Sequence, residues 1–175
     1  MWRSVPLCSI VLVGLLLEPL AARGGNAAFT DFDARVAVQR AVYGASLRLA
    51  DLGCQSLMTD FEDDDGLPLE AKLNELGMTA TEYLADLRFA DGTASPLCRY
   101  GTNLAFTIRN TRTIQVCTPA FKQWSRADKR VVELIVIHEL LHTLGLGENP
   151  PTTDAITDRV WERCASVPRS SSGQR

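Results

Sequence analysis

The sequence predicts an α+β domain that is mostly helical, with a small antiparallel sheet or hairpin packed on one buried helix and disulfides bracing the whole. Three observations carry this expectation. Several segments open with capping residues or Pro and continue at helical spacing. Two short β-branched runs, Leu104-Ala105-Phe106-Thr107-Ile108 and Thr113-Ile114-Gln115-Val116-Cys117, flank Asn110-Thr111, a pair suited to a hairpin turn. Past the first thirty residues the cysteines number four, Cys54, Cys98, Cys117 and Cys164, an even set that can form two disulfides.

At the N-terminus, Met1-Trp2-Arg3 supplies a positive end and Val5 to Leu17 an apolar stretch, and Ala21-Ala22 or Ala27-Ala28 supply small residues suited to cleavage. Residues 1–27 therefore read as a secretory signal peptide, since the apolar stretch is shorter than the roughly twenty residues a membrane span needs. Secretion to an extracellular or periplasmic space follows, without stable membrane insertion. Residues 28–168 suit a single domain with its own core, and Arg169-Ser170-Ser171-Ser172-Gly173-Gln174-Arg175 reads as a disordered tail.

Within the domain, Asp31 to about Leu49 reads as a helix with Gly44 as a weak point, and Pro68 to Leu76 as a short helix opened by Pro and closed by Gly77. Thr79-Ala80-Thr81-Glu82 is a capping box that opens a helix running to about Arg88. After Asp91-Gly92 come the two β-branched runs. A second capping box, Ser125-Arg126-Ala127-Asp128, opens a helix from about Arg126 to Leu144 that is apolar on nearly every face, as a helix buried in a core is. Thr153 to Arg163 forms the last helix. Of the three possible disulfide pairings, Cys54 with Cys98 and Cys117 with Cys164 is favoured, because the first would bracket the N-terminal region and the second would tie the last helix to the strand before the buried one.

The formal net charge is −3 with no basic patch, so nucleic acid and anionic membranes are not expected partners. No C-x-x-C occurs, which argues against a thioredoxin-like redox centre or a cysteine zinc site. The acidic run Asp60-Phe61-Glu62-Asp63-Asp64-Asp65-Gly66 matches no calcium-loop register and reads as a solvated turn. Tyr43, Tyr83 and Tyr100 read as core or surface residues, with Tyr100, before the hairpin, the one worth testing.

The residues that bear on chemistry are His138-Glu139-Leu140-Leu141-His142, which contain both histidines of the chain. Four residues apart on a helix, two imidazoles can reach one metal, and the intervening Glu139 can reach a water on it. Inside an apolar helix these polar groups need partners, since a buried one without any costs about 1–3 kcal/mol; a metal supplies one, and core histidines satisfied by carbonyls or carboxylates are the alternative. Gly145 stands three residues beyond, where a left-handed turn would end the helix and return the chain toward the metal.

Read onward, His138-Glu139-x-x-His142-x-x-Gly145-x-x-Glu148 resembles the extended zinc signature of the metzincin metallopeptidases, over about eleven residues, with Glu148 where that family has a third His or an Asp. The resemblance implies a zincin-like fold, Zn2+ as cofactor, His138 and His142 as ligands, Glu148 as third ligand and Glu139 as general base. The chain departs from the family in its methionines: Met1, Met58 and Met78 all precede the motif, so no methionine turn lies beneath the metal. In the gluzincin arrangement the third ligand comes from a following helix, which leaves Glu162, Asp158 and Asp154 as alternatives to Glu148.

The function implied is a secreted, monomeric zinc metallopeptidase acting on a peptide or protein substrate, with Glu139 moving the proton between water and the leaving amine. The alternatives are an exported zinc-binding protein without peptidase activity and a metal-free structural domain.

Overall fold

A computed structural model of the chain describes residues 27–108 and 111–166. The signal peptide expected up to residue 27, Asn110 of the hairpin turn and the tail from 169 thus fall, but for Ala27, outside the described residues. In chain order the elements are β1 (Ala27–Ala28), α1 (Phe32–Leu49), α2 (Leu52–Gln55), α3 (Leu57–Asp60), α4 (Leu69–Leu76), α5 (Ala80–Asp86), β2 (Arg88–Asp91), α6 (Pro96–Tyr100), β3 (Ala105–Thr107), β4 (Thr113–Val116), α7 (Thr118–Ala127), α8 (Lys129–Thr143) and α9 (Thr153–Cys164). The fold is α+β and mostly helical.

Local chemistry accounts for most helix ends. The Asp31 carboxylate accepts from the Ala34 amide at the start of α1, and Gly77, at φ 64°, closes α4. Thr79 and Glu82 form the reciprocal capping box of α5. At the N-terminus of α9, the Thr152 hydroxyl accepts from the Ala155 amide.

The expected helix from Arg126 to Leu144 is α8, which starts three residues later, at Lys129; Arg126 and Ala127 belong to the preceding α7. The chain turns at Asp128 (φ −149°, ψ 103°), the C-cap of α7 and the N-cap of α8. Ser125 caps nothing, since its hydroxyl donates to the Lys122 carbonyl one turn back. Asp128 accepts from the Arg130 amide and so opens α8, while Thr118-Pro119 opens α7.

The sheet is mixed rather than antiparallel, in the order β1-β2-β4-β3. The hairpin β3–β4 is antiparallel with Ala105 opposite Val116, while β2 runs parallel to β4 with Phe89 opposite Ile114, and β1 parallel to β2. Arg88–Asp91 is too short to display an alternation, and a parallel partner lies far away in sequence, so the expectation of antiparallel pairing held only for the hairpin. In this order β3 is an edge strand.

Helix α8 lies at the centre, with Val132, Leu134, Val136, Ile137, Leu140 and Leu141 all buried, packed against α1, α7, α9 and the hairpin. Gly44 is the point of closest approach: a Cβ there would lie 2.4 Å from the Glu133 carboxyl carbon. Glu133 is buried in α8 and accepts two hydrogen bonds from the Arg48 guanidinium, at 2.9 and 2.7 Å; that guanidinium also donates to the Cys164 carbonyl at 2.7 Å. One ion pair thereby joins α1, α8 and the end of α9.

The disulfides are Cys54–Cys164 and Cys98–Cys117, which overturns the pairing favoured from sequence. Packing of α2 against α9 brings Cys54 to Cys164, and the antiparallel hairpin returns the chain so that Cys117, just after β4, meets Cys98 in the middle of α6. The bridges close separations of 110 and 19 residues, worth about 5 and about 3 kcal/mol by chain entropy. Among the described residues no helix is long and apolar enough to cross a membrane. The acidic run forms an exposed turn: Asp63 accepts from the Asp65 and Leu67 amides, and Gly66 takes a φ of 74°.

Candidate metal centre

The last two turns of α8 present His138 and His142 on one face, their Nε2 atoms 3.1 Å apart. The helix ends in a Schellman turn: the Gly145 amide donates to the His142 carbonyl and the Leu146 amide to the Leu141 carbonyl, with Gly145 at φ 113°. This turn does two things. It brings the Leu146 carbonyl within 2.9 Å of His142 Nδ1, and it returns the chain so that Glu148 Oε1 lies 3.4 Å from His142 Nε2. One ligand atom each from His138, His142 and Glu148 falls within 4.8 Å of the others, close enough to share an ion.

The other candidates stand apart. Glu162 is exposed on α9 and pairs with Arg159 at 2.8 Å. Asp154 and Asp158 are exposed on the same helix, and among the described residues neither joins the cluster. Helix α9 meets the centre through Thr157, whose hydroxyl is 3.2 Å from His138 Nδ1. Each imidazole thus has its Nδ1 engaged by the protein and its Nε2 turned toward the other ring and the Glu148 side. Since a carbonyl can only accept, His142 carries a proton on Nδ1, and in the neutral ring Nε2 keeps its lone pair.

Glu139 is buried at 6 % exposure, and its Oε2 has no hydrogen-bond partner. Burial lifts its pKa to about 7, with the Thr107 hydroxyl opposing the rise and Glu148 adding to it. Burial, and then the neighbouring His142, push His138 down to about 4, so this ring is neutral over the physiological range. A buried carboxyl with one unpartnered oxygen, poised near neutrality beside two imidazoles, is a functional-site signature.

These groups open into a cleft of about 430 Å³, floored by His138, Glu139 and His142 and bounded by Glu148, Leu146 and Thr153 on one side. Leu97, Asn103 and the edge strand Ala105-Phe106-Thr107 form the other side. The Thr107 hydroxyl, 3.3 Å from the Glu139 carbonyl, ties that strand to α8. Tyr100 is exposed on α6 and is not among the lining residues, whereas Tyr83 is buried and donates to the Thr143 carbonyl at 3.0 Å, anchoring the end of α8.

Sequence reading missed Thr157, Thr107 and the Leu146 carbonyl. The apolar pattern and Gly145 foretold the turn, but nothing in the local pattern distinguishes Thr157 from other threonines of an amphipathic helix. No family model matches this chain, and no curated protein or solved structure matches it.

Proposed function

We propose that this protein is an exported zinc-dependent metallopeptidase with a zincin-like, metzincin-type site: His138, His142 and Glu148 hold the ion, and Glu139 is the general base. The observation that carries the reading is the convergence of two Nε2 atoms and one carboxylate beside the buried, unpartnered oxygen of Glu139. The donor set fits the ion. Two nitrogens and one oxygen leave a tetrahedral zinc one open position, and bond lengths of about 2.0–2.1 Å require an N–N edge of about 3.3 Å, close to the 3.1 Å between the Nε2 atoms.

When bound, zinc supplies Lewis acidity and brings the pKa of water to about 7. Glu139, whose buried Oε2 has no partner in the protein, would take a proton from the attacking water and return one to the leaving amine. Strand β3 offers the open edge of the sheet along the cleft, where an extended peptide can add as a further strand. The two disulfides and the N-terminal leader suit export to an oxidising space.

The test is turnover of an unfolded protein substrate by the purified protein, with metal content measured alongside. Activity abolished by chelator, restored by zinc and absent from Glu139→Gln with its zinc retained is the expected result. Zinc bound without turnover identifies a non-peptidase zinc protein, and no transition metal in protein prepared without chelator overturns the reading.

A further inference from the structure

The two histidines are held in unlike ways. His142 faces a carbonyl, which only accepts, whereas His138 faces the Thr157 hydroxyl, which can donate or accept. The distinction matters because the Nε2 atoms lie 3.1 Å apart. At that distance two bare lone pairs repel, so a neutral pair without an ion needs a proton between them, while an ion held between them needs both lone pairs bare.

Hydrogen-bond accounting settles where that proton resides. In the neutral pair, the carbonyl of Leu146 requires the single proton of His142 to sit on Nδ1, so its Nε2 is an acceptor. The proton between the rings must then belong to His138 Nε2, which leaves His138 Nδ1 as a lone pair and requires Thr157 to donate. Without metal the chain of donors runs from Thr157 to His138, to His142 and to the Leu146 carbonyl. With metal, His138 must instead carry its proton on Nδ1, and Thr157 must accept it.

We propose that Thr157 is a positioning residue whose hydroxyl reverses direction between these two states, letting His138 change tautomer so that the pair is fully hydrogen-bonded without metal and presents two bare Nε2 atoms to it. The proposal rests on the metal reading above. The proton balance closes: His138 Nε2 loses one proton to solvent and Nδ1 gains one from solvent, so the ring stays neutral. Helix α9 holds the hydroxyl in place, clamped at its end by the Cys54–Cys164 bridge and by Arg48 on the Cys164 carbonyl.

The chain has only two histidines, so its imidazole nitrogen spectrum contains two rings. The experiment is nitrogen–proton correlation NMR on 15N-labelled, untagged, disulfide-bonded protein at pH 8, with chelator and then with one equivalent of zinc, alongside zinc titrations of Thr157→Val and Thr157→Ser. The expected result is His138 protonated on Nε2 with chelator and on Nδ1 with zinc, and His142 on Nδ1 throughout. Thr157→Val loses a hydrogen bond in both states, but the ring N–H polarised by an ion is the stronger donor and loses more, so zinc should bind about 10-fold more weakly, and Thr157→Ser, which keeps the hydroxyl, should stay close to the wild type. His138 protonated on Nδ1 in the chelated protein, a doubly protonated His142 facing Leu146 and Glu148, or unchanged zinc affinity in Thr157→Val would overturn this inference alone. Failure of the wild type to bind zinc would overturn the metal reading instead.

Discussion

Glu139→Gln should make the metal-free protein more stable at neutral pH, by an amount that depends on pH in a defined way. Glu139 has a pKa of about 7 in the fold against an ordinary 4.5. Between those values the folded state holds a proton that the unfolded state has lost, so its contribution is full below pH 4.5 and falls as pH rises to 7. The slope is about 1.4 kcal/mol per pH unit, or about 3 kcal/mol in all. His138 works in the opposite sense: its pKa falls from 6.5 to about 4. Here the unfolded state holds the extra proton, so stability is full above pH 6.5 and is lost as pH falls toward 4.

In the wild type the two slopes cancel between about pH 4.5 and 6.5. Glutamine does not titrate, so the variant exposes the His138 slope. Against the wild type, Glu139→Gln should be nearly neutral at pH 4 and more stable by about 3 kcal/mol at pH 8. Urea unfolding in chelator, with disulfides intact, reads this directly; with an m-value of about 2 kcal/mol/M the midpoint difference grows to about 1.5 M. A difference that stays constant from pH 4.5 to 8 would mean that Glu139 ionises in the fold as it does in water, and would refute the reasoning.

Three other outcomes follow from the geometry. Glu148→Ala should weaken zinc binding sharply while Glu162→Ala leaves it nearly intact, because only Glu148 approaches the histidines; calorimetric titration showing the reverse ranking would move the third ligand to α9. Peptide mapping without reduction should recover Cys54 joined to Cys164 and Cys98 to Cys117, and removing the first bridge should cost about 5 kcal/mol of unfolding free energy against about 3 for the second. Arg48→Met should destabilise by about 3–5 kcal/mol in denaturant titration by stranding Glu133, and Arg48→Met with Glu133→Leu should recover most of that loss if the charge, rather than the packing, is responsible.

What could be read from the chain alone was what rests on residues within about four positions of one another. The capping box at Thr79, the stop at Gly77, the turn at Gly145 and the spacing of His138 and His142 are all of this kind, because a helix end or a helix face is complete within one turn. Local rules also failed locally where two residues could each do the same work: Ser125 and Asp128 are both N-cap types, and in the fold Asp128 caps α8 while Ser125 lies inside α7.

The remainder depended on contacts between distant segments. Phe89 meets Ile114 in a parallel pair, Cys54 meets Cys164 across 110 residues, and Gly44 is small because Glu133 of another helix lies against it. The candidate centre divides along the same line. The imidazole spacing is a property of one helix and was legible in the sequence; the Thr157 hydroxyl at His138 and the edge strand over Glu139 arrive from elements whose arrival is decided by core packing, which leaves no periodic trace in the segments it joins.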